Sequence, residues 1–157
     1  MSTAVESGVG MEMELTRFFR APRELVWQAW TEVERLREWW GPKSFTNPRC
    51  EIDVRVDGAI RIDMRAPDGT VYPMGGKFEE IVPPERLVFL GEALDAQGNV
   101  LFTNRNTVAF RETEHGTEMT LHVVVLSATE VAPMYLKGMR EGWSSSLDKL
   151  AELLKTA

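Results

Sequence analysis

From Phe45 to Leu126 apolar residues recur at every second position and each run stops at a turn signal, whereas Ala21 to Trp40 and the stretch after Thr129 keep the three- and four-residue spacing of a helix. The alternating part is read as sheet. Cys50, Ile52, Val54 and Val56 lead to Asp57-Gly58, and Ile60, Ile62 and Met64 lead to Asp68-Gly69. Tyr72 to Ile81 stops at Pro83-Pro84, Leu87 to Ala93 near Gln97-Gly98, and Leu101 to Phe110 at His115-Gly116; Thr117 to Leu126 closes the series. An earlier strand is predicted over Met11 to Phe19. Connections this short favour antiparallel neighbours, because a parallel pair needs a long crossover.

Two short helices are predicted after the first strand. Pro22 suits a helix start, and Leu25, Val26, Ala29 and Trp30 fall on one face. Thr31, with Glu34 three residues on, reads as the cap of a second helix whose Val33, Leu36 and Trp40 share a face until Gly41-Pro42. The longest helix is predicted over Thr129 to Leu154. Leu136, Met139, Trp143, Leu147, Leu150 and Leu154 form one apolar stripe, and Lys137, Glu141, Ser144, Asp148, Glu152 and Lys155 the polar side. At about 1.5 Å per residue it spans roughly 35 to 40 Å, enough to cross a small domain.

On the last strand Thr117, Met119, Leu121, Val123 and Val125 share a face that needs cover, and this helix is the cover of sufficient length. A twisted sheet around a straight rod does not touch it evenly, so a cavity is expected between them. Gly138 and Gly142 weaken the helix and admit two readings, a close approach of helix and sheet or open space beside the helix for a ligand.

Composition narrows the function. The 157 residues suit one domain, expected over residues 11–157 after a polar tail at 1–10. A net charge of -6 without a basic cluster speaks against nucleic acid as partner. The single Cys50 rules out an internal disulfide and points to the cytoplasm. No apolar run is long enough for a bilayer, and the first residues are read as neither signal peptide nor anchor.

Catalytic chemistry finds little support. His115 lies in a turn and His122 on the polar face of its strand, neither with metal ligands or triad partners near in sequence. Cys50 reads as a small buried hydrophobe, and Ser144 to Ser146 lack the setting of a nucleophile. No catalytic residue, metal site or cofactor is assigned. The sixth strand is more informative: counting back from Val108 and Phe110 puts Asn106, Asn104 and Phe102 on the inner face. Inward amides need partners, which a ligand, a bulge or an exposed strand end would each provide. In the other register Thr103, Arg105 and Thr107 face inward, with Arg105 available to an anionic head group. Candidate cavity residues are Phe102, Asn104, Asn106, Met119, Leu121, Met139 and Trp143, with Trp39 and Trp40 at the entrance.

The segments Ala21-Pro22-Arg23 through Val26-Trp27, Trp39-Trp40-Gly41-Pro42, Asp57-Gly58, Asp68-Gly69, Gly76, Pro83-Pro84-Glu85-Arg86, Gly116-Thr117 and Gly142-Trp143 with Leu147 and Leu150 carry a resemblance. In order and spacing, from about Glu12 to Leu154, the chain resembles the SRPBCC (START-like) superfamily and, within it, the group named after the C-terminal domain of the activator of heat-shock protein 90 ATPase. The resemblance implies an α+β helix-grip fold, a curved antiparallel sheet of about seven strands around a C-terminal helix. It implies a cavity for a small hydrophobic or amphipathic molecule, as superfamily members bind lipids, polyketides and plant hormones. A cyclase- or hydrolase-type enzyme in the same cavity and a co-chaperone are the alternatives. The co-chaperone is the weaker one, since in the named activator a separate N-terminal domain makes much of the chaperone contact. A homodimer is left open.

Overall fold

The computed structural model describes residues 9–129 and 138–155. Among them the element order is β1 (Glu12–Phe19), α1 (Arg23–Thr31), α2 (Val33–Trp39), β2 (Thr46–Ile52), β3 (Ala59–Arg65), β4 (Val71–Val82), β5 (Arg86–Leu94), β6 (Val100–Thr113), β7 (Gly116–Ala128) and α3 (Met139–Lys155). The seven strands form one antiparallel sheet in the order β1-β7-β6-β5-β4-β3-β2. Hairpins account for every pairing except the one that brings β1 beside β7, with Leu15 opposite Leu121. The two early helices span the distance from one edge strand to the other. This is the helix-grip α+β fold, with α3 lying across the concave face of the sheet.

The stripe on α3 does what its spacing predicts. Leu147, Leu150 and Leu154 are buried and join one apolar cluster with Met119, Leu121, Val123, Val108 and Phe110 from the sheet. Burial of this kind is worth about 25 cal/mol per Å² of apolar surface and is the main force seating the helix. Leu136 and Lys137, assigned to the two faces of this helix, lie outside the described residues.

One flank of α3 differs from the expected solvent face. Ser144 and Asp148 pack beside β1, where the Arg17 guanidinium donates to the Ser144 carbonyl at 3.0 Å and hydroxyl at 2.8 Å and meets the Asp148 carboxylate at 2.9 Å. Arg17 takes an inward position in the alternation of β1 between Leu15 and Phe19, so its charge needs partners on the helix.

Two other expectations change. The strand read through Val56 stops at Ile52, because a tight turn follows in which Arg55 N-H bonds to Asp53 O and Gly58 N-H to Arg55 O. Val54 and Val56 are consequently exposed. Thr31 does not cap α2; it ends α1, its hydroxyl donating to Trp27 O at 2.9 Å.

The tryptophans build a second centre beneath the early helices. Trp30 lies 4.7 Å from Trp39, 6.4 Å from Trp40 and 6.0 Å from Trp143, centroid to centroid. Both Trp39 and Trp40 are buried, which a continuous helix would not allow for adjacent residues. The helix ends there, and Phe89 of β5 and Trp143 of α3 cover the Trp40 ring, centroids 6.3 and 5.3 Å away. Cys50 is buried and burial pushes its thiol pKa up, as expected of a packed hydrophobe.

Candidate functional site

Between the first turns of α3 and strands β3 to β6 lies a cavity of about 420 Å³. Its floor comes from the inner face of the sheet: Phe89, Gly91 and Ala93 of β5, and Leu101, Phe102, Asn104 and Asn106 of β6. Met139, Gly142, Trp143 and Ser146 of α3 form the roof, and Trp40 closes one end. Phe45 and Tyr72, ring centroids 6.1 Å apart, stand with Met64 and Met74 at the more exposed side.

The loop after α2 is tied to α3 beside this cavity. Lys43 N-H donates to the Ser145 hydroxyl at 2.8 Å, and the Lys149 ammonium reaches the carbonyls of Gly41 and Pro42 at 3.3 and 3.4 Å. Desolvation lowers the pKa of Lys149, opposed by the charge of Glu38.

The helix glycines favour open space over close approach. Among the described residues a Cβ on Gly138 would have nothing within 4 Å, and one on Gly142 would meet Pro42 Cγ at 3.9 Å. Gly91 is different. It sits opposite Asn104 in the β5–β6 register, and a Cβ there would come within 2.9 Å of Asn104 Oδ1 and 3.3 Å of Asn106 Nδ2. The missing side chain is the room in which the two asparagines turn toward each other, Asn106 Nδ2 donating to Asn104 Oδ1 at 2.8 Å.

The strand-six register is the one with the asparagines inside: Asn104 and Asn106 are buried, while Arg105 is exposed and bonded to Glu79 at 2.7 Å. Bulges fall where β6 meets its neighbours, between Ala93 and Leu94 of β5 and between Thr103 and Asn104. The first leaves Leu101 unpaired, and it joins Phe102 on the wall.

Of the residues expected to form the site, Phe102, Asn104, Asn106, Met139, Trp143 and Trp40 line the cavity together. Met119, Leu121 and Trp39 do not. Met119 and Leu121 are opposite Phe110 and Val108, further along the sheet, where helices and sheet pack without a gap. Trp39 is fully buried with its indole N-H donating to Ala29 O at 2.9 Å, so it anchors α2 to α1 rather than edging an entrance. Phe45, Tyr72, Phe89, Gly91 and Ser146 escaped sequence reasoning. Phe89, Gly91 and Ala93 alternate on β5 and could have been found by the parity used on β6.

Among the described residues the wall contains no lysine, arginine or histidine, and its one charged residue, Glu92, pairs with Gly75 and Thr103 on the outer parity of β5. No group of three His, Cys, Asp or Glu side chains converges as a metal site among the described residues. No helix there is long and apolar enough to cross a membrane.

Comparison with known proteins locates this architecture. The family described as "Activator of Hsp90 ATPase homolog 1-like protein" matches residues 20–155. A crystal structure of a Mycobacterium smegmatis protein is 27% identical, with a TM-score of 0.79 over 92% of this chain and 91% of its own. A solution structure of an Arthrobacter aurescens protein is 26% identical, with a TM-score of 0.82 over 94% and 88%. A crystal structure of a Silicibacter pomeroyi protein is 23% identical, with a TM-score of 0.78 over 92% and 98%, and shares the fold. No curated protein matches the chain.

Proposed function

The chain belongs to the family of Activator of Hsp90 ATPase homolog 1-like proteins, and we propose that it is a binding protein for a small, mostly apolar molecule held between α3 and the sheet. The observation that carries the reading is the cavity itself, about 420 Å³ and walled mainly by aromatic, methionine and aliphatic side chains. That size lies within the roughly 300–1,000 Å³ usual for small-molecule sites. The helix glycines support it, since neither is placed for close packing. Binding is favoured over a reaction because the buried polar groups of the wall are two amides and a hydroxyl, which orient a ligand without exchanging protons at neutral pH.

Trp40 and Trp143 both face this space, so occupancy is readable in tryptophan emission. Titration with the neutral probe N-phenyl-1-naphthylamine should give saturable binding that Met139→Trp, which fills the cavity, abolishes. Absence of saturable binding, or binding indifferent to Met139→Trp, would overturn the reading. The family's name favours a second reading, a co-chaperone acting through its surface. Stimulation of a heat-shock protein 90 ATPase that persists in Met139→Trp would support it instead.

A further inference from the structure

Resting on the cavity reading above, we propose that the ligand carries an uncharged hydroxyl at its buried end, and that Asn106 and Asn104 recognise it. Asn106 is 2% exposed. Its amide N-H₂ is committed, donating to Asn104 Oδ1 at 2.8 Å and to Phe89 O at 3.4 Å. Its carbonyl Oδ1 has no partner among the described residues. A buried acceptor without a donor is destabilising, and this one, covered just under the cavity wall, is relieved by a ligand's donor once the amide turns toward the space.

Asn104 uses its carbonyl to accept from Asn106, which leaves its own amino group as a donor. The pair therefore offers one acceptor and one donor within a single buried patch. A hydroxyl, which both gives and accepts, satisfies the two together; a bare hydrocarbon satisfies neither. Gly91 keeps the patch open, because any side chain there would press on both amides.

Charge decides what is refused. A carboxylate entering this wall would leave water without finding a cation among the described lining residues. It would also leave Asn106 Oδ1 unpaired, having no proton to donate.

The test uses four compounds on one skeleton, biphenyl, 4-phenylphenol, biphenyl-4-carboxylate and biphenyl-4-methylamine, titrated calorimetrically into the full chain at neutral pH. The phenol is expected to bind about three- to tenfold more tightly than biphenyl, the worth of a net hydrogen bond, and at least about tenfold more tightly than the carboxylate. Asn106→Leu should erase the phenol's margin, the two compounds then binding that variant alike. Asn104→Ala makes the same test should Asn106→Leu fail to fold. Equal binding of phenol and biphenyl, a margin that survives both variants, or tightest binding by the carboxylate or the amine would overturn the proposal while leaving the cavity reading standing. Failure of all four compounds to bind would remove both.

Discussion

Two glycines on opposite walls of the cavity should respond to alanine with opposite signs. Gly142 lies in the first turn of α3, its N-H bonded to Gly138 O at 2.9 Å. Among the described residues an added methyl meets Pro42 Cγ at 3.9 Å, ordinary contact. Alanine is favoured over glycine by about 0.8–1.0 kcal/mol in a helix interior and by less near an end, so Gly142→Ala should stabilise by about 0.5–1 kcal/mol. For a domain of this size that raises Tm by about 1–4 °C. On the other wall, Gly91→Ala places its methyl 2.9 Å from Asn104 Oδ1 and must part the asparagine pair. Disrupting a buried polar pair costs about 1–3 kcal/mol, against about 0.4–1 kcal/mol regained from the stiffer unfolded chain, so the net loss is about 1 kcal/mol and Tm falls by about 2–4 °C. Differential scanning calorimetry of the two variants measures both signs. A lower Tm for Gly142→Ala would mean that the helix glycine serves close packing after all, and an unaltered Tm for Gly91→Ala would mean that the asparagines do not depend on the space it leaves.

Cys50 should react slowly with a thiol reagent in the native protein and fully only after unfolding, because burial both shields the sulfur and raises its pKa; rapid native labelling would contradict its place in the core. On the outer face of the sheet, the Arg105 guanidinium holds the Glu79 carboxyl below the ordinary carboxylate range, chiefly through their hydrogen bond. A carboxyl lowered by folding stabilises above its unfolded pKa, near 4.5, and this contribution fades as pH falls through the lower folded value. Arg105→Ala should therefore cost up to about 1 kcal/mol at neutral pH, limited by solvent screening, and the difference should disappear at the acid end of a pH series of melts.

Periodicity told which way side chains point and little about where the space is. Alternation on β6 correctly separated Asn104 and Asn106 from Arg105, because a strand has only two faces. The same rule put Met119 and Leu121 on the inner face, where they are, yet could not say that the helix has already met the sheet at their level. Position along an element depends on how side chains from α1, α2 and α3 interlock, which no local pattern records. Gly91 was silent for another reason: its contribution is an absence of atoms, and hydropathy does not register room. Trp39 and Trp40 were misjudged as a pair because the cover over them comes from other elements, Ala29 of α1 for the first ring and Phe89 and Trp143 for the second.

The pairing of Glu12–Phe19 with Gly116–Ala128 joins segments more than half the chain apart in sequence. On the ribosome the ribbon Glu12–Phe19 must therefore wait, its amides open to water or to other chains, until Gly116–Ala128 has been made. Closing so long a loop is entropically slow, which makes attachment of this ribbon a late, high-contact-order event in maturation and its unsatisfied margin the place where a nascent copy is most exposed to mispairing.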